Sequence, residues 1–77
     1  MEHQVKEIMC SVLGVAAEQI NETTSTKTCP EWDSLKMISL VLAIEEEFCL
    51  SLTEEEIMTM TSYAEIMRLL ETKLAAG

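Results

Sequence analysis

Asp33 and Ser34 are the pair in this chain whose types and spacing could do chemistry. They stand directly before the apolar run Met37-Ile38-Ser39-Leu40-Val41-Leu42-Ala43-Ile44, which closes on Glu45-Glu46-Glu47-Phe48. An aspartate there fits a helix N-cap, because its side-chain oxygen can accept amide hydrogens that the first turn leaves without partners. Ser34 then falls at the first helical position, outside the hydrogen-bonded interior and open to another molecule. A phosphodiester on its hydroxyl would sit at the positive end of the helix dipole, where anions are favoured. Asp-Ser before an apolar run also begins ordinary helices, so a pure interaction module with an unmodified Ser34 stays open at this point. Hydrolase chemistry finds little support: a Ser-His-Asp arrangement would need His3, the only histidine, near the terminus. Glycine-rich phosphate loops, metal-ligand clusters and nucleophile elbows do not occur in the sequence.

Elements able to position Ser34 follow from periodicity. Val5, Ile8, Met9, Val12 and Leu13 recur at helical spacing and predict a first helix from about Val5 to Val15, weakened late by Gly14. Residues 21–28 are polar, rich in hydroxyls and aperiodic, which predicts a long ordered loop closed by Pro30. A connection of that length in a compact domain usually has a task. A second helix is predicted from Ser34 to Phe48, with Leu35, Ile38, Val41, Leu42, Glu45 and Phe48 on one face, apolar until its last turns, and Leu40 and Ile44 widening it. Thr53-Glu54-Glu55-Glu56 is a capping-box signature for a short third helix, and Ser62 with Glu65 repeats it. The last helix is expected to turn Tyr63, Ile66, Met67, Leu70 and Leu74 inward. The fold class is therefore all-α: a four-helix bundle with a long first loop and a short third helix.

Size and charge narrow the function. With 77 residues the chain is one domain, 1–77, near the lower limit for a single core; such a core supplies roughly 3–5 kcal/mol of net stability. Only Trp32, Phe48 and Tyr63 are aromatic, so Leu, Ile, Val and Met must fill the interior. Fourteen acids against 5 bases leave a net charge of −9, which argues against nucleic acid and anionic membrane surfaces and for basic protein surfaces as partners. Three cysteines without paired spacing suit neither a disulfide framework nor a zinc site. No apolar run approaches the length of a membrane span, and Met1-Glu2-His3-Gln4-Val5-Lys6 lacks the charged and apolar regions of a signal peptide. A cytoplasmic monomer is expected.

The segment Trp32-Asp33-Ser34-Leu35 with its apolar run and Glu-Glu-Glu-Phe ending resembles the attachment region of acyl carrier proteins, and the likeness extends in pattern and length to Leu74. The resemblance implies a carrier with no catalysis of its own. A phosphopantetheinyl transferase would attach 4′-phosphopantetheine from coenzyme A to Ser34, and the arm would hold acyl groups as thioesters for acyl-loading, condensing or acyl-transferring enzymes. Asp33 would cap the helix and help the transferase place its magnesium ion. Leu35 is expected to anchor the first turn in the core and hold Ser34 outward. Together with Lys36, Met37, Leu42, Glu45 and Glu46 it would border the surface that partners meet. Trp32 is expected to pack the loop against the bundle. Carriers of fatty-acid synthesis usually have acids two and five residues beyond the serine. Lys36 and Ser39 stand there in this chain, which points to a dedicated fatty-acid-like, polyketide or secondary-metabolite pathway. Peptidyl carriers usually show a Gly-Gly pair where this chain has Glu31-Trp32, although a carrier for aminoacyl groups charged by an adenylating ligase stays open.

Overall fold

The computed structural model describes residues 1–76 and places four α-helices among them: α1 (Glu2–Leu13), α2 (Ser34–Phe48), α3 (Glu54–Thr59) and α4 (Tyr63–Ala76). The architecture is the all-α bundle expected, with the long connection first and the shortest helix third.

α1 begins three residues before the expected start, because the amide of Val5 already bonds the Met1 carbonyl at 3.1 Å. Its polar first turns are laced by Lys6–Glu2 and His3–Glu7 pairs four residues apart. It also ends earlier than expected. Gly14 takes the left-handed conformation at φ 72° and returns its N–H to the Cys10 carbonyl, closing the helix at Leu13. α2 matches its expected limits, ending where Cys49 adopts φ 52°, unusual for a residue with a side chain.

The core draws on α1, α2, α4 and the connections. Val5, Met9 and Leu13 from α1 meet Leu40, Val41 and Ile44 from α2 and Tyr63, Ile66 and Leu70 from α4, while Ile20, Cys29, Trp32 and Met60 enter from the connections. The inner stripe of α2 is thus Leu40-Val41-Ile44, with Met37 and Phe48 half-buried at its edges. The expected face was rotated from this one: Leu35, Ile38 and Leu42 are 76, 59 and 60 % exposed. Apolar residues occur almost all round this helix, so periodicity alone could not select the face that meets α1. Leu74 is likewise 42 % exposed rather than inward. Leu70 is the last core residue of α4, and one turn further on Lys73 reaches α3, its ammonium 2.9 and 3.0 Å from the Glu56 carboxylate oxygens.

α3 buries none of its own residues fully. Its start is fixed by the capping box: Glu56 N–H donates to Thr53 Oγ1 at 3.1 Å, and Thr53 N–H donates to Glu56 Oε1 at 2.9 Å. Ser62 caps α4 by accepting the Glu65 amide, but the Glu65 carboxylate accepts from Arg68 at 2.8 Å and leaves that box half made.

The long connection is ordered by its own hydroxyls. After one 3-10 turn (Ala17–Gln19), the buried Thr24 Oγ1 accepts from Asn21 N–H and donates to the Gln19 carbonyl. Thr28 Oγ1 accepts from Ser25 N–H at 2.9 Å. Two backbone bonds, Thr26 N–H to Thr61 O and Tyr63 N–H to Thr24 O, both 2.9 Å, clasp the loop to the junction of α3 and α4. The polar residues are therefore the scaffold of this segment, which holds the approach to Ser34.

Candidate functional site

The site is built at the point where the clasped loop turns into α2. Asp33 has extended backbone geometry, and its Oδ1 accepts the Lys36 amide at 2.9 Å, while its carbonyl accepts the Met37 amide at 2.9 Å. The aspartate cap is thus made as its position demands. Ser34 is the first helical residue and is exposed, so its hydroxyl is open to a reagent and lies at the positive end of a fifteen-residue helix. Trp32, two residues earlier, is 3 % exposed and packs the loop against the bundle. A groove beside the serine is lined by Thr26, Trp32, Asp33, Ser34, Met37 and Ile38.

The remaining sequence-selected residues divide into two sets. Leu35, Lys36, Leu42 and Glu46 are all exposed. Leu35 therefore does not anchor the first turn. It is directed outward, while Trp32 is buried in the core and Met37 is half-buried against it. Met37 and Glu45 are half-buried. The Glu45 carboxylate accepts the Leu52 amide at 2.8 Å and its carbonyl accepts the Leu50 amide, so this residue shapes the turn after α2. Sequence reasoning missed that role, since an acid at the end of a helix shows no sign of whether it will fold back on the chain. His3 is away from this groove, paired with Glu7 on α1 at 2.9 Å.

The three cysteines are free thiols, half-buried (Cys10), buried (Cys29) and exposed (Cys49). Burial raises the Cys29 thiol above its ordinary range, reinforced by the Glu31 carboxylate that accepts from it at 3.5 Å. Among the described residues, no cluster of His, Cys, Asp and Glu is arranged to hold a metal ion, and no helix is long and apolar enough to cross a membrane.

Residues 3–70 match the family model described as the phosphopantetheine attachment site. An acyl carrier protein of Buchnera aphidicola subsp. Baizongia pistaciae is 30 % identical over 71 residues, covering 92 % of this chain and 91 % of the relative. One from Chlamydia caviae is 27 % identical over 73 residues, covering 95 % of each. The solution structure of a holo acyl carrier protein from Nitrosomonas europaea superposes with a TM-score of 0.80 at 27 % identity, covering 97 % of this chain and 99 % of that one. The fold and these matches define a phosphopantetheine-bearing carrier rather than a catalyst. The chain belongs to the acyl carrier protein family, whose members carry the phosphopantetheine group covalently and meet a transferase and further enzymes.

Proposed function

We propose that Ser34 is the attachment point of 4′-phosphopantetheine and that residues 1–77 act as a single, monomeric, cytoplasmic carrier domain for acyl thioesters. The observation that carries this reading is the exposed Ser34 hydroxyl at the first position of α2, directly after the Asp33 cap and at the mouth of the adjoining groove. These residues fit the group. The hydroxyl can be reached by a transferase, and the helix start favours the negative charge of a phosphodiester. Ser34 Oγ forms a bond to the phosphorus of coenzyme A that bears the pantetheine, 3′,5′-adenosine bisphosphate leaves, and the hydroxyl proton passes to a base on the transferase. The thiol of the bound arm supplies the atom on which an acyl group is held as a thioester.

Asp33 keeps the first turn in register and offers the transferase a carboxylate for its magnesium ion. Leu35, Ile38 and Leu42 form an exposed apolar stripe running away from Ser34, with Lys36 and Glu46 also exposed on α2 and Met37 and Glu45 half-buried. Contacts there are apolar first and charged second, and Lys36 and Ser39 stand where carriers of fatty-acid synthesis usually have acids. That supports a dedicated fatty-acid-like, polyketide or secondary-metabolite pathway with its own acyl-loading, condensing or acyl-transferring enzymes. Aminoacyl loading by an adenylating ligase is the second reading, and identifying the group borne on the thiol decides between them.

Intact mass after incubation with coenzyme A, magnesium and a broad-specificity phosphopantetheinyl transferase tests the attachment. The expected result is a gain of one phosphopantetheine that Ser34→Ala abolishes. No gain on a folded protein would refute it and leave a partner-binding module. Replacing Lys36 and Ser39 together by glutamate is expected to improve use of the loaded protein by fatty-acid-synthesis enzymes; unchanged use would refute the specificity argument.

A further inference from the structure

Among the described residues, α3 is the only α-helix that buries none of its own side chains fully, and at six residues it is too short to persist unsupported. The chain on either side of it is tied down. Before it, the Leu52 amide donates to the Glu45 carboxylate at 2.8 Å and the Leu50 amide to the Glu45 carbonyl at 3.1 Å. After it, Met60 is buried and the Thr61 carbonyl accepts the Thr26 amide at 2.9 Å. Residues 53–59 therefore form a strap anchored at both ends. Within the strap Glu54, Glu55, Met58 and Thr59 are exposed, and Ile57 is half-buried against the core. Its other hold on the bundle is Glu56, whose carboxylate oxygens lie 2.9 and 3.0 Å from the Lys73 ammonium of α4.

This ion pair differs from the others. Lys6–Glu2, His3–Glu7 and Arg68–Glu65 each join residues three or four apart on one helix. Glu56–Lys73 joins two helices across 17 residues, and its side chains are only 26 and 24 % exposed. A pair so covered is screened by salt less than one in open water. Glu56 is also fixed beforehand, because its Oε1 accepts the Thr53 amide in the capping box, so little further freedom is lost when Lys73 binds it. We propose that Lys73 is the latch of a lid: its ammonium on Glu56 decides how often residues 53–59 lift from the bundle while the anchors at Leu52 and Thr61 stay closed. Lifting withdraws Ile57 from the core and frees the α3 amides, a local opening that needs less free energy than global unfolding. No residue of α3 lines the groove beside Ser34, so the lid opens at a separate part of the surface.

Amide hydrogen exchange of the full chain, read by nuclear magnetic resonance at urea concentrations below the unfolding transition, tests the lid and the latch separately. The Ile57 amide, bonded to the Thr53 carbonyl at 2.9 Å, reports on the lid, and the amide of the fully buried Leu40 reports on the whole bundle. Global opening exposes much surface and so speeds steeply with urea, whereas a local opening does not. Ile57 is therefore expected to exchange faster than Leu40 and with little dependence on urea. Lys73→Met keeps the stem and removes the ammonium; Glu56→Gln keeps an acceptor for the Thr53 amide and removes the charge. Each is expected to speed Ile57 exchange about three- to fivefold, the upper range for one partly exposed pair, with its weak urea dependence kept. The double variant should be no faster than either single one. An Ile57 urea dependence equal to that of Leu40 in the wild type would overturn the lid. Unchanged Ile57 exchange in Lys73→Met, or effects that multiply in the double variant, would overturn Lys73 as its latch.

Discussion

Replacing Asp33 separates the helix cap its carboxylate makes from the part in transfer proposed for it. Its Oδ1 lies 2.9 Å from the Lys36 amide, so Asp33→Ala removes a side-chain cap from α2. Loss of such a cap costs typically about 1 kcal/mol, and loss of the negative charge at the helix start adds about 0.3–1 kcal/mol. Against a net stability of roughly 3–5 kcal/mol for a domain of this size, the total of about 1–2 kcal/mol is a large fraction. Each kcal/mol corresponds to about 4–8 °C in midpoint temperature for a small domain. Asp33→Asn keeps the cap, since asparagine caps as well as aspartate, and loses only the charge. Thermal and urea unfolding followed by circular dichroism should therefore rank wild type above Asp33→Asn and both above Asp33→Ala. Transferase loading should rank them differently: Asp33→Asn folds well but loads slowly, because its amide is a poor ligand for magnesium. An Asp33→Ala midpoint equal to wild type would refute the cap as a source of stability. Loading of Asp33→Asn at the wild-type rate would refute the carboxylate's part in transfer.

Leu40→Ala should cost about 2–5 kcal/mol, as fully buried leucines do, and leave much of the protein unfolded at 25 °C by circular dichroism. Leu35→Ala should stay within about 0.5 kcal/mol of wild type; a large loss there would restore Leu35 to the core. Cys49→Gly relieves a side chain held at φ 52° and should raise stability by about 1 kcal/mol in urea titrations, whereas a lower midpoint would refute that strain. The Glu56 carboxyl is held below the usual carboxylate range by the Thr53 amide first and the Lys73 ammonium next. A depressed folded value contributes stability above the unfolded value, which is lost as pH falls through the folded one. Urea midpoints measured down an acid series should show wild type losing its advantage over Glu56→Gln, and a constant gap between the two would contradict this.

Local signals with a direct physical cause were legible in the chain. Asp33 before an apolar run marked the start of α2 because a carboxylate at that position has amides to accept, and the Thr53-Glu56 box marked α3 for the same reason. The exposure of Ser34 followed from its place at the first helical position. The facing of α2 was not legible, because Leu35, Ile38 and Leu42 are as apolar as Leu40, Val41 and Ile44, and only packing against α1 distinguishes the two sets. The polar connection concealed its order, since Thr24 and Thr28 build structure through hydroxyl bonds that leave no hydrophobic period. Within the site, the groove depends on the distant Thr61 carbonyl holding Thr26, a pairing that nothing near Ser34 announces.

The clasp of residues 24–26 onto residues 61–63 bears on how the domain assembles. Helix turns close between near neighbours and form quickly, whereas these two bonds join segments from opposite halves of the sequence and must wait until a long intervening stretch has been brought round. The loop beside Ser34 is therefore expected to acquire its final shape late in folding, once the junction of α3 and α4 is in place. Unfolding retraces that dependence. When the junction of α3 and α4 loosens, Thr26 loses its Thr61 anchor, and the wall of the groove is expected to loosen with it. The readiness of the serine's surroundings is thus coupled to a helix junction that contributes no residue to them.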